Sequence, residues 1–474
     1  MAGMAARVIA VLLSTPIMIR SLGLSAFGSW ILLLTLVGLA GLAELGFTTG
    51  VAVFMAAERR SPSARRAILR QALVLVSASG LSVTVAWGLL SPALGSRVAG
   101  LAVTGDWVTA SRVLALGLLP RLWQSLLVSW EAAVNRFDAQ VIIEAGAFVL
   151  LNSGLAILAL IDGRYWLLAT WYLVITSAAV VAHVWALRLD LAELLAAPVV
   201  APPPGLTRFS LFQWVSSLGS TIFSKADRLA VNAVVGPSGL ALYAAGVSVA
   251  SKLNELCAVP LQPTVPAISE ARGREANNEA RQIVMDGLYL NVTMVFGIGT
   301  TMMWLSPWIA AYLSPSRTGE LTQLICILVL AYASYSSTVV GYFAAQALKL
   351  SMANGVALLA GGVGSVLLIW MLPAVVGLMG VAWGNFGFSL AYIPLYVVLK
   401  KLGITVREVR KPYLASAALL ITSFAIVTTT EARNPLWNLF GWVASVVTFA
   451  FVVPNGARSV LALLNIFRRV SAKP

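Results

Sequence analysis

Among the charged residues inside otherwise apolar runs of this chain, eight are candidates whose types and spacing could do chemistry. The bases are Arg20, Arg121, Lys225, Arg228 and Lys252; the acids at comparable depth are Glu44, Asp227 and Glu255. Lys225 and Arg228 are three apart, which on a helix puts them on one face. A charge in hydrocarbon costs about 2.5–3.5 kcal/mol on insertion scales, so each needs a partner or a function. Arg and Lys give charge-assisted hydrogen bonds to phosphate oxygens. The functional reading of the five bases is therefore a cationic cavity that receives a diphosphate. The structural reading is internal ion pairing, with snorkelling at helix ends. Lys252 and Glu255, three apart, suit a simple pair. Asp227 suits pairing with a neighbouring base, and Arg20 lies three residues from a turn. Five bases against three acids is a modest excess that does not by itself set the sign of a substrate.

Other reactive groups are few. The only histidine, His183, sits between Ala182 and Val184 near the end of an apolar run and reads as a packed helix-end residue rather than a proton relay. A single unpartnered histidine supports neither a metal site nor a Ser-His-Asp triad. Cys257 and Cys326 both lie in apolar runs and form no CxxC or disulfide framework. No lysine follows a glycine, so there is no P-loop lysine and no Walker-type ATP site. Pro16 in the first apolar segment, and Pro260, Pro263 and Pro266 in the eighth, remove helical hydrogen bonds and mark candidate kinks for a gating motion. The GxxxG matches Gly46–Gly50 and Gly380–Gly384 read as helix-packing sites.

The elements that must position these residues follow from composition. Of 474 residues 59% are hydrophobic and 11% charged, and the mean hydropathy is +0.89. A soluble domain carries roughly 25% charge. Disorder, a coiled coil, a nucleic-acid binder, a disulfide scaffold and a soluble enzyme are all excluded, and an all-α polytopic membrane protein remains. The net charge of +14 fits basic cytoplasmic loops better than a nucleic-acid partner. A ruler of about 20 apolar residues gives fourteen transmembrane helices, near 4–21, 27–57, 67–94, 108–132, 139–161, 165–187, 207–235, 240–268, 283–311, 319–346, 353–373, 377–399, 413–430 and 437–457. The first is expected to be an uncleaved helix rather than a signal peptide. With the N-terminus inside, 22 of the 32 basic residues fall in cytoplasmic segments and 6 in outer ones. That bias places both termini in the cytoplasm. The outer loops are all short, which disfavours a membrane glycosyltransferase or polymerase and leaves transport.

A shift of 213 residues aligns Leu22–Trp30 with Val235–Tyr243: Gly23 meets Gly236, Phe27 meets Leu240 and Trp30 meets Tyr243. Each copy is a helical hairpin with a Gly-marked outer turn. Six helices per copy make a parallel repeat about the membrane normal. The expected organisation is a six-helix bundle at 1–187, a cytoplasmic linker at 188–206 with three prolines, a second six-helix bundle at 207–399, and two extra helices with a basic tail at 400–474.

The stretch Thr15-Pro16-Ile17-Met18-Ile19-Arg20-Ser21-Leu22-Gly23, the Phe27-Gly28-Ser29-Trp30 opening of the second helix, Gly41-Leu42-Ala43-Glu44-Leu45-Gly46, and Ser224-Lys225-Ala226-Asp227-Arg228-Leu229 followed by Gly236-Pro237 and Tyr243 carry a family resemblance. They resemble lipid-linked oligosaccharide flippases, the polysaccharide-exporter branch of the multidrug/oligosaccharidyl-lipid/polysaccharide superfamily. The match covers the two hairpins and elsewhere only topology, and the chain lacks the longer N-terminal lead common in that family. The resemblance implies translocation of an undecaprenyl-diphosphate-linked oligosaccharide across a bacterial inner membrane by alternating access, for O-antigen, lipopolysaccharide or exopolysaccharide biosynthesis. It implies membrane lipids, and a polymerase or other assembly proteins, as partners, and no nucleic acid or cofactor. Without an ATP site, an ion gradient, a membrane potential or consumption of product would drive it; the sequence does not identify the coupling ion. A multidrug exporter of the same superfamily is the alternative, and a peptidoglycan-precursor flippase is another.

Overall fold

A backbone in hydrocarbon must satisfy its own N–H and C=O groups, and a helix does so within one segment. In the computed structural model of the chain, all regular structure among the described residues is helical. The described residues are 2–57, 62–98, 105–134, 136–188, 206–221, 225–348, 350–429 and 435–452. Large apolar side chains such as Leu89, Ile161, Val181 and Trp185 point outward. That surface suits lipid and not water.

Eleven helical stretches among the described residues are long and apolar enough to cross a bilayer. The chain is a multi-pass membrane protein. The count of fourteen is not reached among those residues. The expected first and fourteenth spans overlap the helices Ala2–Leu22 and Pro435–Val452, and the expected seventh, 207–235, is shared between Leu206–Thr221 and the start of Asp227–Ala258; Ala2–Leu22, Leu206–Thr221 and Pro435–Val452 are not among the eleven. The stretches expected as linker (189–205), inner loop (58–61), outer loop (430–434) and tail (453–474) lie outside the described residues.

The chain divides into two compact units. One comprises Met1–Thr221 with Gly236–Ala241, the other Ile222–Val235 with Leu242–Pro474. In the first, the expected helix 27–57 is two helices, Leu24–Ala40 and Phe47–Ala57, joined by a 3-10 turn at Gly41–Glu44. The break comes where Leu45 and Gly46 take positive φ. Its cause is a close approach: a Cβ on Gly46 would lie 2.1 Å from the Ser210 carbonyl oxygen, and one on Gly50 would lie 2.3 Å from Ser210 Oγ. The first GxxxG pair thus seats the Leu206–Thr221 helix, as packing predicted. The core here is Phe47, Val51, Met55, Ile68, Leu69, Leu118, Leu122 and Leu126.

In the second unit the expected helix 240–268 ends at Ala258. Val259–Leu261 is a 3-10 turn holding Pro260, Pro263 caps the following helix, and Pro266 lies in that helix's first turn, Thr264–Gly273. The three prolines thus make a break between two helices, because proline fits first-turn positions whose amides have no intrahelical partner. Pro16 differs: the Ala2–Leu22 helix runs through it. The two aligned turn glycines share one conformation, φ 80° and ψ 161° at Gly23 against φ 71° and ψ −179° at Gly236. Only glycine visits that region readily.

Candidate functional site

Three helices of the first unit, Gly105–Ala133, Phe137–Ile161 and Tyr165–Leu187, bring polar side chains into one buried cluster. Gln124 and Glu131 are seven residues apart, two turns along one face of the first helix. Glu144 comes from the second and His183 from the third. His183 Nδ1 lies 2.8 Å from Glu131 Oε1, and its Nε2 lies 3.3 Å from Glu144 Oε1. Gln124 Nε2 donates to the same Glu144 oxygen at 2.5 Å. Arg7, from Ala2–Leu22, places Nη2 4.0 Å from Glu144 Oε2. The side chains of His183 and Glu131 are fully buried. His183 is therefore not the unpartnered packing residue expected from sequence; two carboxylates flank its ring.

Arg121 sits mid-helix in Gly105–Ala133, one residue after Pro120, and is exposed. Its Nη1 donates to Gln124 Oε1 at 3.2 Å, and its charge acts on Glu44, Glu144 and Tyr172. Charged side chains within spans mostly face a bundle interior or a water-filled cavity. Glu44 accepts from Thr48 Oγ1 at 2.5 Å at the helix break. Arg20 is exposed in the last turn of its helix, where a cation also meets the negative end of the helix dipole.

In the second unit Asp227 is buried at a helix start. Its Oδ1 accepts the Arg228 amide at 2.8 Å and its Oδ2 accepts the Tyr243 hydroxyl at 2.7 Å. Tyr243, itself fully buried, also lies 3.1 Å from Asn385 Oδ1. In these bonds Asp227 holds an amide and a phenol. Lys225 precedes Asp227 on the same segment. Arg228 Nε is buried and has no hydrogen-bond partner among the described residues. Lys252 Nζ bonds both oxygens of Glu255, at 2.7 and 2.9 Å, the pair that their spacing suggests.

The second unit also holds a cavity of about 430 Å³. Trp383, Phe386, Phe424, Tyr392 and Tyr413 line it, with the hydroxyls of Ser334, Ser337 and Ser416. The walls come from Asn277–Leu313, Thr318–Ser336, the segment 383–392 and Val406–Thr429. Its polar groups are largely matched with one another: Ser337 Oγ lies 2.6 Å from Tyr392 Oη, and Tyr413 donates to the Ser337 carbonyl at 2.9 Å. What remains is an apolar, aromatic space that suits hydrocarbon.

No protein-family model and no curated protein matches the sequence. Solved structures do match the fold. An inward closed lipid II flippase, MurJ, aligns with TM-score 0.68 and 13% identity, over 98% of this chain and 99% of its own. An inward-facing multidrug resistance MATE family transporter of the MOP superfamily aligns with TM-score 0.67 and 15% identity, over 83% of this chain and 94% of its own. A MOP superfamily transporter from Pyrococcus furiosus, described as having a binding pocket of reverse polarity, aligns with TM-score 0.59 and 16% identity, over 85% and 93%. The fold is that of MOP superfamily transporters.

The residues that sequence reasoning missed are Gln124, Glu131 and Glu144. The signal was present: a glutamate inside the apolar run Val141-Ile142-Ile143-Glu144-Ala145, and two polar residues seven apart in a span.

Proposed function

We propose that this chain is a flippase carrying an undecaprenyl-diphosphate-linked oligosaccharide from the inner to the outer leaflet of a bacterial cytoplasmic membrane. It works by alternating access, with both termini cytoplasmic, and serves cell-surface polysaccharide assembly. The observation that carries the reading is the two-way, near-complete likeness to a lipid II flippase, 98% and 99%, against 83% and 94% for the MATE exporter. The aromatic cavity beside Val406–Thr429 supports it, since an isoprenoid needs apolar lining of that kind. Arg20 and Arg121 in one unit, and Lys225, Arg228 and Lys252 in the other, are the candidate diphosphate contacts. Glu255 pairs with Lys252, and Glu44 and Asp227 are the candidate charge-pairing or coupling acids. Pro16, Pro260, Pro263 and Pro266 serve the bending that alternating access requires. The absence of a P-loop lysine in the sequence leaves a gradient or product consumption as the driving force.

The MATE likeness favours a second reading, a multidrug exporter. Leaflet exchange of a fluorescent undecaprenyl-diphosphate-linked sugar in liposomes decides between them. Wild type should exchange it. Arg121→Ala and Arg228→Ala should slow exchange by about 10–100-fold, the worth of one charge-assisted hydrogen bond of about 1.5–3 kcal/mol, and Lys252→Ala by less, because both oxygens of Glu255 already hold that lysine. No exchange, together with export of cationic dyes, sinks the flippase and promotes the exporter.

A further inference from the structure

Both ring nitrogens of His183 face carboxylate oxygens, Glu131 Oε1 at 2.8 Å and Glu144 Oε1 at 3.3 Å. A neutral imidazole has one N–H and one lone pair, and an ionised carboxylate only accepts. Two such contacts therefore need one proton more than a neutral histidine with two carboxylates supplies. One imidazolium between the two serves both at once. Glu144 already accepts from Gln124 and lies beside Arg7, which suits an ionised carboxylate. Glu131 is fully buried, and its Oε2 has no hydrogen-bond partner among the described residues. If the proton leaves in this arrangement, one carboxylate, the fully buried Glu131 or the largely buried Glu144, faces a bare lone pair, which is costly. Departure of the proton and rearrangement of the three helices are thus linked.

The ligand chemistry is that of a proton and not a metal ion. The two carboxylates approach opposite sides of the ring and do not converge on one point. Among the described residues no group of His, Cys, Asp and Glu is placed to hold a metal. The charged groups around the trio come from every neighbouring element. Arg7 lies on Ala2–Leu22. Arg121 acts on Glu144 from the helix that also bears Glu131. Arg136, in the turn before Phe137–Ile161, acts on Glu131 and donates to the Ala186 carbonyl close to His183.

We propose that Glu131, Glu144 and His183 form a proton-binding site that couples proton movement to transport. The cargo to which it is coupled rests on the flippase reading; the site itself does not. One proton enters when the imidazole sits between both carboxylates and leaves when that arrangement opens. Only N–H and O–H bonds are made and broken.

The test uses the full chain in liposomes with the fluorescent lipid-linked sugar, membrane potential clamped, and a pH gradient imposed. With one proton per cargo, wild type should reach a leaflet ratio that shifts about tenfold per pH unit. His183→Gln and Glu131→Gln should lose the gradient-driven shift. Variants that keep the gradient-driven shift overturn the proposal. Exchange by wild type that ignores the gradient also overturns it while leaving the flippase intact. If wild type moves no lipid-linked sugar, the flippase reading fails and the site is judged separately. His183 is the only histidine in the chain, so ¹⁵N-imidazole labelling reports on it alone. A ring protonated on both nitrogens at neutral pH, reverting to single protonation in Glu131→Gln, upholds the proton site. A singly protonated ring in wild type overturns it.

Discussion

His183→Leu should be among the most destabilising single changes in the first unit, and Glu131→Leu added to it should restore most of the loss. The reasoning starts from burial: both side chains have no exposed surface, and Glu131 already has one oxygen without a partner. Leucine at 183 removes the ring nitrogen that lies 2.8 Å from the other oxygen. Breaking a buried charged pair by deleting one member costs about 3–5 kcal/mol, whereas replacing both with apolar groups is often neutral or better. For a domain of 150–250 residues each kcal/mol moves Tm by about 2–4 °C. The single variant should therefore melt about 6–20 °C lower. The double variant should return to within a few degrees of wild type, because Glu144 keeps its bond from Gln124 at 2.5 Å. Thermal unfolding followed by the fluorescence of the 15 tryptophans, in one detergent at one protein concentration, gives all four corners of the cycle. A single variant that melts within about 2 °C of wild type, or a double variant as low as the sum of the singles, refutes the buried-pair account.

Three further outcomes can be checked by the same melts. Asp106→Ala should cost about 1 kcal/mol, because its carboxylate accepts the first amides of the Tyr165–Leu187 helix, Tyr165 at 2.9 Å and Trp166 at 3.2 Å. Tyr243→Phe should cost about 1.5–3 kcal/mol by taking a donor from the buried Asp227 carboxylate. Gly46→Ala should lose at least about 1–2 kcal/mol from its left-handed backbone alone. Its yield of folded protein should fall further, since the new Cβ meets the Ser210 carbonyl at 2.1 Å.

What the sequence revealed and what it hid divide along one physical line. Spacing rules work within a single helix. They led from three-residue spacing to the Lys252–Glu255 pair, and from a repeated glycine to the shared turn conformation of Gly23 and Gly236. Hydropathy sees composition but not backbone direction, so 27–57 read as one helix although the chain breaks at Leu45 and Gly46. The prolines at 260, 263 and 266 did mark their break, though as a kink rather than a stop. His183 was hardest, because its partners lie 52 and 39 residues away on two other helices. No pattern local to His183 contains either of them, and burial of a lone histidine looks the same from sequence whether it is inert or paired.

The structure also separates three of the five candidate bases. A base whose donors are already matched gains little from a new anion, because one hydrogen bond replaces another. Lys252 is in that position, held by both oxygens of Glu255. Arg121 and Arg228 differ. Arg121 is exposed at mid-span with a neutral amide, Gln124, as its hydrogen-bond acceptor. Arg228 keeps a buried Nε without an acceptor among the described residues. A guanidinium has five donors in a fixed fork that matches phosphate oxygens. Removing a buried donor's deficit stabilises a complex by more than exchanging one bond for another, so Arg228, with Arg121 beside the proton site in the other unit, has more to gain from a phosphate than the lysine does. That ordering comes from where each cation's partners lie, which the count of five bases against three acids could not supply.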